Sequence, residues 1–132
     1  MRYLIDTHVL LWLMSGDKRL SKRHRYEIET PGNIVFVSKA SLWEIAIKVS
    51  ISKLELSKPI LQFEGYLIEN SFQLLDFNYH DLDQLAQLDF HHYDPFDRLI
   101  ICQAITKNLT IISDNKKFNL YPVHYSARNE SL

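Results

Sequence analysis

Four acidic residues, Asp6, Glu44, Asp97 and Asp114, stand in contexts that let carboxylates act together. Asp6 and Asp114 each close an apolar run, YLID and TIISD, that reads as a strand. Ligands of parallel α/β sheets bind beyond the carboxyl ends of the strands, where both side chains would project. Either acid alone has a plainer reading, as the cap of the helix or turn that follows; two such strand ends in one chain shift the balance. Asp97 belongs to HHYDPFDRLII, residues 91–101, in which Asp94 before Pro95 suits a helix N-cap and Asp97 suits the positive helix terminus. Glu44 shares a narrow polar stripe with Lys48 on an otherwise apolar helix. Trp43, Ile47 and Ile51 flank that stripe on one side, and Leu42, Ile45, Ala46 and Val49 form the expected opposite face. An exposed i, i+4 pair and a carboxylate aimed into a cleft are both open for Glu44.

If these four acids converge, carboxylates within roughly 4–6 Å of one another raise each other's pKa or force the site open, and a divalent cation relieves the conflict. An all-oxygen set with retained waters favours Mg²⁺ or Mn²⁺ over zinc, which takes His or Cys. The histidines give no such set: His91 and His92 are adjacent, so their side chains diverge in an extended loop, and no HxxxH spacing occurs. His8, two residues after Asp6, remains placed to touch a substrate or orient a ligand. A cation on acids suits phosphodiester hydrolysis, because it lowers the pKa of a water and neutralises charge building on the phosphate oxygens. Asp6 and Asp114 are expected to hold it most directly. Asp97 would complete the site, and Glu44 would act through water or orient the nucleophile.

The elements that must position these residues alternate along the chain. Residues 2–6 read as a strand, followed by a helix to about Met14 and a turn at Ser15-Gly16. A helix over 21–30 and the turn Pro31-Gly32-Asn33 lead to the strand IVFVS. Serines open the helix SKASLWEIAIKV. Residues 56–71 read as one helix with Pro59 near its start, 72–77 as a strand, 79–89 as a polar helix and 94–107 as an apolar one. A strong strand over 109–114 and a weak one over 123–126 complete the set. Strands alternating with helices imply a parallel sheet covered on both faces.

Bulk properties set the bounds. With 132 residues, 46% hydrophobic and only 3 glycines, the chain suits one packed domain over 1–132 and not a disordered or collagen-like polymer. The lone Cys102 excludes an intrachain disulfide and suits a reducing cytoplasm; among Ile101, Ala104 and Ile105 it reads as a small core residue. VLLWLM at 9–14 is too short to span a bilayer and leads into DKRLSKRHR instead of a small-residue cleavage site, so neither export nor a membrane span is expected. A net charge of −1 excludes a strongly basic nucleic-acid coat. Lys18, Arg19, Lys22, Arg23 and Arg25 still crowd one segment, as a solvated face or a phosphate-contacting patch.

In order, the motifs LIDTHVLLW, SLWEIAIKV, HHYDPFDRLIICQA and TIISDNKKF resemble those of the PIN-domain ribonucleases, specifically the VapC-type toxins of toxin–antitoxin pairs. The resemblance covers nearly the whole chain, and each motif bears its acid. It implies a three-layer α/β/α sandwich with a central parallel sheet, and Mg²⁺- or Mn²⁺-supported endonucleolytic cleavage of RNA. It carries the acidic set onto Asp6, Glu44, Asp97 and Asp114, with Asp94 of the DPFDR variant as a cap, a metal ligand or a support of one. Thr7, Ser113 and Asn115 would orient ligands through hydrogen bonds, and Arg98 would meet phosphate or pair with an acid. A homodimer held inactive by a VapB-like antitoxin is implied as well, with a basic antitoxin side chain near the acids. Residues Ile60, Leu61, Phe63, Tyr66, Leu67 and Ile68 would supply that interface or ordinary core. Two other classes stand against this reading: a receiver-type α/β signalling domain, which needs paired acids at the first strand where this chain has Asp6-Thr7-His8, and a non-catalytic binding protein, which the loss of one of the four acids would have favoured.

Overall fold

Short β-branched runs separated by capped helices leave each strand to pair with neighbours distant in sequence. The computed structural model describes residues 1–128, so the last residues of the domain expected over 1–132 lie outside the described residues. Five strands, β1 (Arg2–Ile5), β2 (Ile34–Ser38), β3 (Gln73–Leu75), β4 (Thr110–Ile112) and β5 (His124–Ser126), form one sheet in the order β3-β2-β1-β4-β5. Every pairing is parallel, as the alternation of elements predicted. The chain runs outward from β1 through β2 to β3, then returns to the other side of β1 as β4 and β5. The order therefore reverses between β1 and β4, and a crevice opens there beyond the strands' carboxyl ends.

Helices cover both faces. Tyr3 and Ile5 of β1 point into a core shared with α1 (Thr7–Ser15), α2 (Lys22–Glu29), α3 (Lys39–Ser50) and α4 (Phe63–Glu69). Leu4, between them, points into a second core with Leu85 and Leu88 at α5 (Tyr79–Gln87) and with Ile100, Ile101 and Ala104 of α6 (Pro95–Lys107). That is the expected three-layer α/β/α sandwich, with Cys102 buried in the second core. Asp6, Ser38 and Asp94 each accept a backbone N–H as N-cap and Pro95 opens α6, as the sequence chemistry leads one to expect, and Ser21 caps α2 in the same way. Gly16 ends α1 at φ 67°, a left-handed conformation that favours glycine.

Two expectations need correction. The helix expected over 56–71 is broken: a 3₁₀ turn at Ile60–Gln62 follows Pro59, and only Phe63–Glu69 is α-helical. Phe63 and Leu67 enter the core, whereas Leu61 and Ile68 are exposed. On α3 the buried residues are Ala40, Ser41, Glu44 and Ile45, while Ala46 and Val49 of the expected apolar face are exposed. The helix is rotated so that its polar stripe, not only its aliphatic one, turns inward.

Candidate active site

Asp6 is the first residue beyond β1, and its backbone N–H donates to the Ile112 carbonyl of β4 at 3.2 Å. It therefore sits at the strand-order reversal. Its side chain is only 3% exposed; Oδ1 accepts the Val9 backbone N–H at 2.9 Å, and Oδ2 accepts the Ser113 hydroxyl. Burial pushes its carboxyl above the ordinary range, against those two hydrogen bonds, and the charge of Glu44 adds to the rise. Glu44, also 3% exposed, accepts Thr7 Oγ1 at 2.6 Å on Oε1 and Lys48 Nζ at 2.7 Å on Oε2. Ser41 Oγ lies 3.0 Å from Thr7 Oγ1, which can accept its proton while giving its own to Glu44. The i, i+4 pair read from the sequence thus exists with its acid inside the protein.

Asp97 lies on the first turn of α6, its backbone N–H donating to the capping Asp94 Oδ1 at 2.9 Å. Burial, then the charges of Asp94, Asp6 and Glu44, push its carboxyl up to about 7, and Lys48 opposes them. Acids from β1, α3 and α6 therefore feel one another across the crevice. His92 Nε2 lies 3.1 Å and Asn115 Nδ2 3.4 Å from Asp97 Oδ2. Asp114 stands apart from this inner group. It is part-exposed, 3.6 Å from Arg128, and shares with Asp6 only the neighbouring Tyr125 hydroxyl, on which both charges act. The Tyr125 hydroxyl is buried without a hydrogen-bond partner among the described residues. Burial, with Asp114 and Asp6 close by, pushes it up to about 12, so it stays a proton donor.

The donors fit a hard cation. Every inner ligand candidate is a carboxylate oxygen, the hydroxyls and amides of Thr7, Ser113 and Asn115 orient those carboxylates, and like charges remain facing one another. Among the described residues, no group of three or more Asp, Glu, His or Cys side chains stands close enough together to hold a metal ion. An open, all-oxygen arrangement matches the habit of Mg²⁺, which takes one or two carboxylates and keeps its waters.

Other expected contacts fall differently. Arg98 does not face outward and pairs with no acid among the described residues: it is 4% exposed and donates to the carbonyls of Leu88 at 3.0 Å and Asp89 at 2.9 Å and to Tyr121 Oη at 3.2 Å. Its guanidinium lies 3.8 Å from the Phe90 ring centroid, so it holds the loop before α6. In the basic segment, Arg19 pairs with Asp17, Arg23 with Glu27 and Arg25 with Glu29, which blunts it as a phosphate patch. His8 is exposed beside Trp12 on a cleft of about 360 Å³. Sequence reasoning missed His92, Tyr121 and Tyr125. The spacing from His92 to Asp97 was a local signal, whereas the tyrosines arrive from distant segments with no signal near the acids.

The family model for the PIN domain matches residues 3–123. No curated protein matches the sequence. Solved structures are similar in fold. The chain superposes on one from VapBC2 of Rickettsia felis, bound to a DNA fragment from its promoter, with TM-score 0.72, 22% identity, and 98% of this chain and 100% of that one covered. VapBC-1 of nontypeable Haemophilus influenzae gives TM-score 0.69 at 19% identity over 96% and 98%. A toxin–antitoxin complex from Klebsiella pneumoniae gives 0.64 at 17% over 97% and 98%.

Proposed function

Because this chain belongs to the PIN domain family, we propose that it is a Mg²⁺- or Mn²⁺-dependent endoribonuclease, the VapC-type toxin of a toxin–antitoxin pair. The observation that carries the reading is the set of buried Asp6 and Glu44 with part-buried Asp97, drawn from three elements to the strand-order reversal, where their charges act on one another and Lys48 is the cation paired among them. Asp6 and Asp97 would hold the cation, with Asp114 closing the site from the rim, Asp94 supporting Asp97 as its cap, and Glu44 acting through water. When bound, a divalent cation neutralises these carboxylates and the charge developing on phosphate.

The chain's own groups then have distinct tasks. Ser113 and the Val9 N–H fix both oxygens of Asp6, and Thr7 fixes one oxygen of Glu44. Glu44 Oε2, paired with Lys48, orients the attacking water and takes its proton. The water oxygen bonds to phosphorus, the bond to the leaving ribose oxygen breaks, and that oxygen takes a proton from solvent while Glu44 returns its own to solvent, giving a phosphomonoester and a hydroxyl. The Lys48 ammonium, part-exposed at the same cluster, offsets charge on the phosphate.

RNA as substrate, a VapB-like antitoxin whose basic side chain enters the acidic groove, a homodimer and a cytoplasmic location extend this proposal. The antitoxin is supported by the VapBC complexes of like fold, and RNA and the homodimer by the motif resemblance, while the location rests on the lone Cys102. No helix among the described residues is long and apolar enough to cross a membrane. The test is cleavage of assorted RNAs by pure protein with Mg²⁺ or Mn²⁺ and with EDTA. Cleavage that persists in EDTA, or in an Asp6→Asn, Asp97→Asn double variant, would refute the reading.

A further inference from the structure

Asp97 is gripped by contacts that decide which ring nitrogen of His92 bears hydrogen. Tyr121 Oη receives three N–H groups at 3.2 Å, from the backbones of His91 and His92 and from Arg98 Nη1. A phenol oxygen has one proton to give and two lone pairs to receive with, so those donors already fill it. Its own proton must go to an acceptor, and His92 Nδ1 at 2.8 Å is nearer than the His92 carbonyl at 3.5 Å. Nδ1 is then the lone-pair nitrogen, and Nε2, 3.1 Å from Asp97 Oδ2, carries the hydrogen. The opposite tautomer would aim a fourth donor at Tyr121 and a lone pair at the carboxylate.

Asn115 adds a second hand. Its Oδ1 accepts the Lys117 N–H at 3.0 Å, which turns Nδ2 toward the same Asp97 Oδ2. Both side-chain donors thus fall on one oxygen, and Oδ1 is the one left for the acidic crevice. We propose that His92 is a positioning residue, locked by Tyr121 as the Nε2–H tautomer so that it clamps Asp97 Oδ2 and presents Oδ1 to the crevice. The inference rests on the nuclease reading for what Oδ1 receives, but the clamp itself is measurable without it.

Long-range ¹H–¹⁵N NMR of the wild-type ring, free of metal and RNA and above the pH at which His92 and Asp97 are protonated, reads the tautomer directly. The expected spectrum has a hydrogen-free Nδ1 and a protonated Nε2; the reverse, or an averaged mixture, overturns the clamp. Mn²⁺ titration by calorimetry then compares variants of native-like circular dichroism. His92→Phe should weaken Mn²⁺ binding about 10- to 100-fold, the range for losing a group that orients a metal ligand. His92→Gln, whose amide N–H can replace Nε2–H, should recover most of it. His92→Phe binding like wild type, or His92→Gln failing to improve on it, overturns the proposal. A wild type with the expected tautomer but no Mn²⁺ affinity would instead sink the nuclease reading.

Discussion

Two aspartates on one face of the sheet, one buried and one part-buried, show opposite uses of the same side chain. Asp81 of α5 is fully buried, but its oxygens face donors: the Asn78 N–H at 2.9 Å in a capping box, the Thr106 hydroxyl, and Lys107 Nζ at 3.9 Å. It ties α5 to α6. Asp97, less buried, faces Asp94, Asp6 and Glu44, and its carboxyl is pushed up to about 7. Burial alone therefore does not mark a working acid. What distinguishes the crevice is like charge left unresolved by the protein, which is a vacancy of charge that a cation fits.

The largest expected effect breaks the two acids apart by activity. Asp97→Asn should lower RNA cleavage more than about 100-fold, in the range seen when a group stabilising transition-state charge is lost. Asp81→Asn, measured per folded molecule, should leave cleavage within about threefold of wild type while lowering stability by about 1–3 kcal/mol, since a buried hydrogen-bonded group loses its match. If Asp81→Asn proved the more damaging to cleavage, the contrast would fail. Next in size is stabilisation by the cation: Mn²⁺ at about 100 times its Kd should add about 2.7 kcal/mol to wild type and to Asp81→Asn, and far less to Asp97→Asn, in thermal melts.

How far the sequence carried this contrast depends on range. Capping is local, so Asp6, Asp94 and Pro95 were legible from their immediate neighbours, and alternating strand and helix patterns implied that the sheet is parallel, though not the order of its strands. The burial of Glu44 was not legible, because the rotation of α3 is set by packing against α1 and α6 and overrides its own aliphatic stripe. Arg98 read as a phosphate or acid partner because its neighbours in DPFDR are acids. The carbonyls it serves come from the preceding loop, and Tyr121 comes from beyond β4. Helix 56–71 failed for a simpler reason: Pro59 was placed inside a helix start when it precedes a 3₁₀ turn.

A smaller effect sharpens the contrast by pH. A carboxyl raised in the folded protein binds its proton more tightly there than in the unfolded chain, where its pKa is about 3.9. The stability it contributes is fully present below about pH 4 and is lost as the pH climbs through about 7. In EDTA, wild type should therefore lose melting temperature between pH 5 and pH 8 relative to Asp97→Asn, and Asp6, raised in the same direction, should leave part of the slope in that variant. Saturating Mn²⁺ should remove the difference, because the cation replaces the proton. An identical slope in both proteins would show that Asp97 is not perturbed as its neighbours require.

The smallest effect compares the two lysines that attend these acids. Lys107→Met should cost no more than about 1 kcal/mol, since Asp81 keeps the Asn78 N–H and the Thr106 hydroxyl and the lost ammonium is partly exposed. Lys48→Met removes a charge that holds Asp97 down, so in EDTA the pH at which wild type loses stability should move upward. With Mn²⁺ present, that shift should vanish, because the cation supplies the positive charge the lysine gave. Melts of both variants at pH 6 and pH 8, with EDTA and with Mn²⁺, separate the cases: a cation-sensitive change at Lys107 and none at Lys48 would reverse the roles of the two acids.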